Sequence, residues 1–299
     1  MKRLRFPFLI TILCGILFTV IVIAKQKVSV PFTGTLSPFF QELGKPIKSI
    51  DRVVSSILPI NEIDEKALGE ELKSRFRNQY DARDSKSTHY LNALVKDLTK
   101  TSKKPFDYEV YLLFGSPNAF ALPGGIICIT DSLMDTLKTE GELVAILGHE
   151  IGHIEKGHCF DLYRGKMLKK TMETLSIAIF ASEIFQSIAS ITFSKSQESE
   201  ADDYGFQLLV ENGYSPFSLS SSFQHLIEIH PTKTAPNPIV DFLHSHPYLE
   251  IRQQQSQEKA IKWFNQNPKA NPYIGAKNLK EKIPRCECAF LEEYQKAES

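Results

Sequence analysis

The sequence lacks the features that mark several specialised classes of protein. Its 35 basic residues balance its 35 acidic residues, so no global field would attract nucleic acid or coat an anionic membrane. Its five cysteines are too few and too scattered for a disulfide scaffold, and the chain has no internal repeats. The composition is that of an ordinary globular protein. With 299 residues and 42% hydrophobic residues, the chain is large enough to bury a substantial core. We expect no nucleic-acid partner.

Two cysteines stand close together near the C-terminus. Cys286 and Cys288 form a Cys-x-Cys pair. In an oxidising compartment they could pair with Cys128 or Cys159, or they could remain free thiols. The sequence leaves both possibilities open, and it leaves the oligomeric state unknown.

Residues 1–24 have the features of a membrane-targeting segment. A basic start leads into Phe6 to Ala24, which would give about 28 Å of helix, close to the thickness of the hydrocarbon core. We predict an uncleaved transmembrane anchor with the following domain exported, most simply to the periplasmic side of the inner membrane. The alternative is a soluble periplasmic protein released by signal cleavage, because Val22 and Ala24 have small-residue spacing before Lys25.

The rest of the chain reads as one mostly helical domain. Residues 25–60, rich in Pro and Gly, predict a linker or stalk, residues 61–264 the folded domain, and residues 265–299 a tail. Hydrophobic spacing predicts two helices within 61–103, and β-rich runs at 108–114 and 119–130, broken by Pro123-Gly124-Gly125, predict two or three strands. Further helices are predicted over 139–157, 175–193 (buried or at an interface), 197–212, 216–229 and 248–264.

One predicted helix carries a metal-binding motif. His149-Glu150-Ile151-Gly152-His153 matches H-E-x-x-H, and the four-residue spacing places both imidazoles on one helical face. Glu150 would then point to the open side of the metal and take a proton from the attacking water. Thr139 and Glu142 predict a capping box at the start of this helix, and Gly157 predicts its end.

A second predicted helix offers the remaining ligand. Glu198 and Asp202 are four residues apart, so both can face the metal, with Glu198 as a ligand and Asp202 as the acceptor that orients a ligand histidine. Glu200 points elsewhere on such a helix. Two histidines and a carboxylate favour one Zn²⁺ per chain.

The combination of H-E-x-x-H with E-x-x-A-D at 198–202 resembles metallopeptidase family 48, gluzincins that include HtpX and the BepA-type and LoiP-type envelope zinc proteases. The resemblance implies an α+β, mostly helical fold with a small β-sheet beside the active-site helix, and Glu198 rather than Glu200 as the third ligand. It implies a substrate-binding edge strand at Asn118, Ala119, Phe120, Ala121 and Leu122. It also implies that His246, in His246-Pro247 with Arg252 downstream, stabilises the oxyanion or caps the idle metal. His158 fits the same branch, but its position favours a role at a helix C-terminus.

These patterns predict a zinc-dependent endopeptidase, and the family resemblance implies misfolded or misassembled envelope proteins as its substrates. The family also includes HtpX and the prenyl-protein CAAX proteases, whose several membrane spans we do not find in this sequence, and no helical repeat array of the BepA type follows the domain. One alternative is a catalytically silent zinc-binding chaperone or scaffold. The presence of Glu150 argues against it, because an inactive site would not need that carboxylate. The others are a structural protein with an accidental motif and a hydrolase of small amides.

Overall fold

The fold is described here from a computed structural model, over residues 62–79, 85–113, 117–162, 192–229 and 246–295. The chain divides into two compact units, Met1–Val54 and Ser55–Ser299, and every described residue belongs to the second. The predicted anchor at 1–24, the stalk at 25–60 and nearly all of the predicted helix at 175–193 lie outside the described residues. Within the described ranges, no helix combines the length and apolar character that a membrane span requires.

The described part is mostly helical with one small sheet, as the sequence predicts. In chain order its elements are α1 (Glu62–Gln79), α2 (Ser85–Leu98), β1 (Glu109–Leu113), β2 (Ala119–Leu122), β3 (Ile126–Thr130), α3 (Asp131–Thr136), α4 (Glu140–Glu155), α5 (Lys195–Glu211), α6 (Ser218–Ile229), α7 (Leu249–Gln266), α8 (Ala276–Glu281) and a 3₁₀ turn (Leu291–Glu293).

The sheet has the strand order β1-β3-β2, with β3 parallel to β1 and antiparallel to β2. The β2–β3 connection is the predicted Pro-Gly-Gly turn, in which Gly124 and Gly125 have φ of +80° and +88°. A side chain at Gly124 would meet the backbone of Gly69 in α1 at 2.3 Å. Glycine is therefore required at this turn both by its φ and by the close approach of α1.

Helix α4 runs through the interior and carries the H-E-x-x-H motif. Its N-cap is Thr139, whose side chain accepts a hydrogen bond from the Glu142 N–H at 3.1 Å. The Glu142 carboxylate accepts from the Lys138 N–H at 2.7 Å instead of completing the predicted capping box. The helix ends as predicted, with Gly157 at φ +76°. Every residue from Glu140 to Ile154 is buried, so α4 is a core helix rather than a surface one.

Helices α4 and α5 cross at very close range because small residues line their contact. A Cβ on Gly152 would lie 3.0 Å from the Cα and carbonyl oxygen of Ala201, and one on Gly205 would lie 3.0 Å from the His149 nitrogen. These positions allow backbone to pack directly on backbone. The crossing thus brings His149 and His153 on α4 next to Glu198 on α5.

We expect Gly205→Val to destabilise the protein by about 2–3 kcal/mol, because the added side chain overpacks a backbone contact. The substitution should also weaken metal binding at the predicted site, since it pushes α5 away from His149. Gln207→Val, on the exposed side of the same helix, makes the same β-branched change and should cost less than about 1 kcal/mol. Urea denaturation of both variants measures the difference. Equal losses would show that the close crossing does not determine stability.

The segment after α7 differs from the predicted tail, because it packs back onto the start of α4. The N–H groups of Glu140 and Gly141 donate to the carbonyls of Gly275 and Ile274, both at 2.9 Å. Tyr273 from this segment is fully buried. The segment thereby satisfies N–H groups that have no acceptor within the helix.

Of the four cysteines that the structure describes, Cys128 and Cys159 are buried, whereas Cys286 and Cys288 are exposed, and all four are free. Burial raises the pKa of the Cys128 and Cys159 thiols well above their ordinary value. The buried and exposed pairs therefore do not join in the described part of the chain.

Candidate metal centre

Three side chains from two crossing helices turn their ligand atoms toward one point. The Nε2 atoms of His149 and His153 are 3.1 Å apart. Oxygens of Glu198 lie 3.6 Å from the first nitrogen and 3.4 Å from the second. All three residues are buried. The structure therefore brings together the three residues that the sequence predicts as metal ligands.

The spacing of these atoms fits a tetrahedral zinc ion. Ligand atoms about 2.0–2.1 Å from a tetrahedral zinc are separated from one another by about 3.3–3.4 Å. The observed separations of 3.1, 3.4 and 3.6 Å bracket that value. Imidazole nitrogens with one carboxylate are also a ligand set that zinc accepts in catalytic sites.

Asp202 and Arg252 support the ligands from behind. Asp202 Oδ1 is 2.9 Å from His149 Nδ1, so the ring presents its other nitrogen to the metal position. Arg252 donates from Nε and Nη2 to the two oxygens of Asp202 at 2.8 and 2.6 Å, and its Nη1 is 2.6 Å from Glu198. Burial acts to raise the pKa of Asp202, but the Arg252 charge outweighs it and lowers that pKa to about 2.

Glu150 occupies a position suited to a proton acceptor. It is fully buried, and neither of its carboxylate oxygens has a hydrogen-bond partner in the described part of the chain. Burial raises its pKa above the ordinary value, with His246 and His149 acting in the opposite direction. A buried carboxylate with both oxygens available and a raised pKa is typical of a general base in a closed site.

His246 reaches the same point from outside the two helices. Its Nδ1 lies 3.1 Å from His149 Nε2 and 3.2 Å from both oxygens of Glu198, and its Nε2 lies 3.5 Å from Glu150. Each of the residues His149, His153, Glu198 and His246 offers one atom that could bind a metal, and these four atoms all lie within 4.8 Å of one another. His246 therefore lies where a fourth ligand, or a group facing the reaction centre, would lie.

The family assignment follows from comparison with known proteins. The sequence model of peptidase family M48 matches residues 85–260 of this chain. This range is more than half of the chain and includes every residue of the cluster. The chain belongs to peptidase family M48.

Among the relatives of this M48 chain are three bacterial proteases. Metalloprotease LoiP of Escherichia coli K12 is 31% identical over 157 residues, which cover 48% of this chain and 58% of LoiP. Metalloprotease YcaL of the same organism is 26% identical over 193 residues, which cover 61% of this chain and 73% of YcaL. The putative beta-barrel assembly-enhancing protease of Vibrio cholerae is 26% identical over 191 residues, which cover 58% of this chain and 37% of that protease. The match thus spans little more than half of LoiP. These proteases confirm the predicted enzyme class, a metalloendopeptidase, at the level of the family.

The strand predicted to bind substrate is β2, at one edge of the three-stranded sheet and packed against α4. Asn118 precedes it and is tied to Thr130, whose hydroxyl accepts from the Asn118 N–H at 2.8 Å. Phe120 lies opposite Cys128 on β3, and all four residues of β2 are buried. The M48 domain therefore has this strand at the predicted edge of the sheet and beside α4.

Two buried rings beside His153, those of His158 and Phe193, were not assigned to the site from the sequence. His158, for which the sequence favoured a role at a helix C-terminus, is buried with its Nδ1 3.1 Å from His153 Nδ1. Glu200 does point away from the cluster, but toward His158, at 3.5 Å. Phe193 stacks on His153 with ring centroids 3.9 Å apart. The H-x₄-H spacing of His153 and His158 was the available signal for His158.

Proposed function

We propose that this chain is a zinc-dependent endopeptidase with His149, His153 and Glu198 as ligands and Glu150 as general base. The observation that carries the proposal is the convergence of the three ligand atoms at separations of 3.1–3.6 Å, with the buried carboxylate of Glu150 beside them. Family membership supports the same reaction class.

The chain's own groups would handle the protons of the reaction. Zinc, when bound, lowers the pKa of a water molecule to about 7 and polarises a carbonyl group. Glu150 accepts the proton of the attacking water and transfers it to the amine that leaves. Asp202 holds His149 through its Nδ1, and Arg252 holds Asp202, which keeps the ligand geometry constant during the reaction.

The proposed substrates are misfolded or misassembled proteins of the cell envelope, bound as an extended strand along residues 118–122. The relatives named as beta-barrel assembly-enhancing proteases support an envelope role. We place the domain on the periplasmic side, attached by residues 1–24, or soluble there if that segment is cleaved. An edge strand next to the catalytic helix supports recognition of peptide backbone.

For His246 we propose direct contact with the reaction centre. Its Nδ1 lies within 3.2 Å of His149 and Glu198 atoms, which supports a cap on the idle metal, and its Nε2 faces Glu150, which supports oxyanion stabilisation. His246→Ala separates the two roles. Faster cleavage would identify a cap, whereas a lower kcat with unchanged KM would identify transition-state stabilisation.

The alternative function is a catalytically silent zinc-binding chaperone or scaffold of the envelope. It shares the fold and the metal, so zinc binding alone does not distinguish it from a protease. Burying a carboxylate that has no hydrogen-bond partner among the described residues costs stability. A role as the catalytic base would account for that cost, whereas a scaffold would gain nothing from it. The state of Glu150 therefore favours the protease.

The test is cleavage of unfolded casein by the purified full chain. We expect cleavage with one zinc per chain, loss of cleavage after a chelator removes the metal, and recovery when zinc is returned. Zinc should also raise the melting temperature, because it binds only the folded site. Stoichiometric zinc uptake without any cleavage would favour the scaffold, and failure to take up zinc would contradict both functions.

A further inference from the structure

His158 lies directly behind the proposed ligand His153. The two Nδ1 atoms are 3.1 Å apart, and the rings meet at 69° with centroids 5.1 Å apart. His153 turns its Nε2 toward His149 and Glu198, so Nδ1 is the nitrogen that remains for a supporting hydrogen bond. The buried neighbour that faces this nitrogen is His158.

A break in the helix explains how a residue five positions along the chain reaches His153. In an uninterrupted α-helix such a residue would lie about 140° around the axis, on another face. Helix α4 instead ends at Glu155, and Gly157 adopts φ +76°, a conformation that favours glycine. The chain resumes a helical turn at residues 158–162. This break turns His158 back toward the ring of His153.

The hydrogen-bond donors and acceptors around His158 can be assigned consistently from His153 to Glu200. A neutral imidazole that gives Nε2 to a metal carries its proton on Nδ1, so His153 needs an acceptor there. His158 can accept at Nδ1 only if its own proton is on Nε2. That Nε2 faces Glu200 at 3.5 Å. The other oxygen of Glu200 accepts from the Ser196 hydroxyl at 3.3 Å, which holds the carboxylate in place.

We propose that His158 is a positioning residue for the ligand His153, and that Glu200 holds His158 in the required tautomer. The two ligand histidines are then supported differently. His149 is oriented by the carboxylate of Asp202, and His153 by a neutral imidazole with a carboxylate behind it. Phe193 covers the face of the His153 ring but offers no acceptor to Nδ1. The inference rests on the proposed metal ligands, but not on the proposed proteolysis.

A pair of amide variants separates positioning from simple packing. The side-chain oxygen of Asn stands about where imidazole Nδ1 stands, whereas that of Gln stands near Nε2. His158→Asn therefore keeps the acceptor that faces His153, and His158→Gln removes it. We expect the zinc dissociation constant to rise about 10–100-fold in the Gln variant and to stay within about threefold of wild type in the Asn variant.

Glu200 allows the second half of the proposal to be tested. Glu200→Gln keeps an oxygen that can accept from His158 and should change the zinc dissociation constant by less than about threefold. Glu200→Leu removes that acceptor and should weaken zinc binding by about tenfold. Equal constants in the Leu and Gln variants would overturn the role of Glu200.

The measurement is zinc competition with a chromogenic chelator on the full chain, together with the visible spectrum of the cobalt-substituted protein. Rotation of His153 changes the ligand field, so the cobalt bands should shift in His158→Gln and not in His158→Asn. A purely structural His158 would lower the melting temperature of both variants without moving the bands. Equal zinc constants for wild type and both His158 variants would overturn this inference alone. A wild-type chain that takes up no zinc would overturn the metal centre itself, and this inference with it.

Discussion

Glu150→Gln is expected to reduce kcat for casein cleavage by about 10²–10⁴-fold while leaving zinc binding intact. The amide has the shape of the carboxylate but cannot accept the proton of the attacking water. Glu150 is not one of the four residues that could hold the metal, so its replacement leaves all of those residues in place. Because both carboxylate oxygens are buried without hydrogen-bond partners among the described residues, the neutral amide should not lower the melting temperature.

The matched control for this prediction is Glu155→Gln, the same chemical change on the same helix. Glu155 is half-buried and accepts hydrogen bonds from Ser102, Tyr108 and the Lys103 N–H, away from the metal cluster. We expect its kcat to stay near that of wild type. Steady-state kinetics and zinc analysis of both variants measure the outcome. A Glu150→Gln protein with at least a tenth of wild-type kcat would rule out Glu150 as the base.

Arg252→Met is expected to destabilise the metal-free protein by about 3–5 kcal/mol, because it leaves two carboxylates buried without their counter-charge. Arg252 contacts Asp202 at 2.6 and 2.8 Å and Glu198 at 2.6 Å, and all three residues are buried. Methionine can retain packing on the ring of Phe223, over which the guanidinium lies at 4.5 Å. The loss should therefore report the charge rather than a cavity.

An exposed ion pair between the same two helices provides the control. Lys259 on α7 pairs with Asp203 on α5, with side chains 40% and 60% exposed. Lys259→Met should cost at most about 1 kcal/mol, since exposed pairs contribute little. Urea denaturation of chelator-treated protein compares the two variants. Similar losses would mean that the buried cluster is not held together by Arg252.

A pH dependence accompanies the buried Asp202–Arg252 pair. The folded pKa of Asp202 is lowered to about 2 by Arg252, against the effect of burial, so its contribution to stability is full above the unfolded pKa of about 4. That contribution decreases as the pH falls from about 4 toward 2. The Arg252→Met protein should therefore lose less stability over this pH interval than wild type does.

Local sequence patterns determined the elements that carry the site. The H-E-x-x-H spacing requires a helical face, and Thr139 and Gly157 mark where that helix begins and ends. The Pro-Gly-Gly segment between β-rich runs determined the turn between β2 and β3 in the same way. Such signals depend on residues within a few positions of one another, so no tertiary information is needed to interpret them.

Other features of the site depend on contacts between distant segments. Glu198 and Asp202 meet the two histidines of α4 only because α4 and α5 cross at backbone distance, which Gly152 and Gly205 allow and which spacing alone does not show. Arg252 and His246 come from a third segment, and they reach the same point through contacts with Asp202 and Glu198. The docking of residues 273–275 on the start of α4 pairs groups more than 130 positions apart. Composition suggested a tail there, because polar and Pro-rich sequence does not reveal which helix end it will satisfy.

The sequence by itself determined which residues can bind a metal and which carboxylate can act as the base, since those properties belong to residue types at helical spacing. Only the tertiary structure decided how each ligand is held. His158 shows the difference most clearly: its distance along the helix predicts another face, and the break at Gly157 returns it to His153. Hydrogen-bond direction and burial arise from packing between segments, and packing is not encoded in any short stretch of the chain.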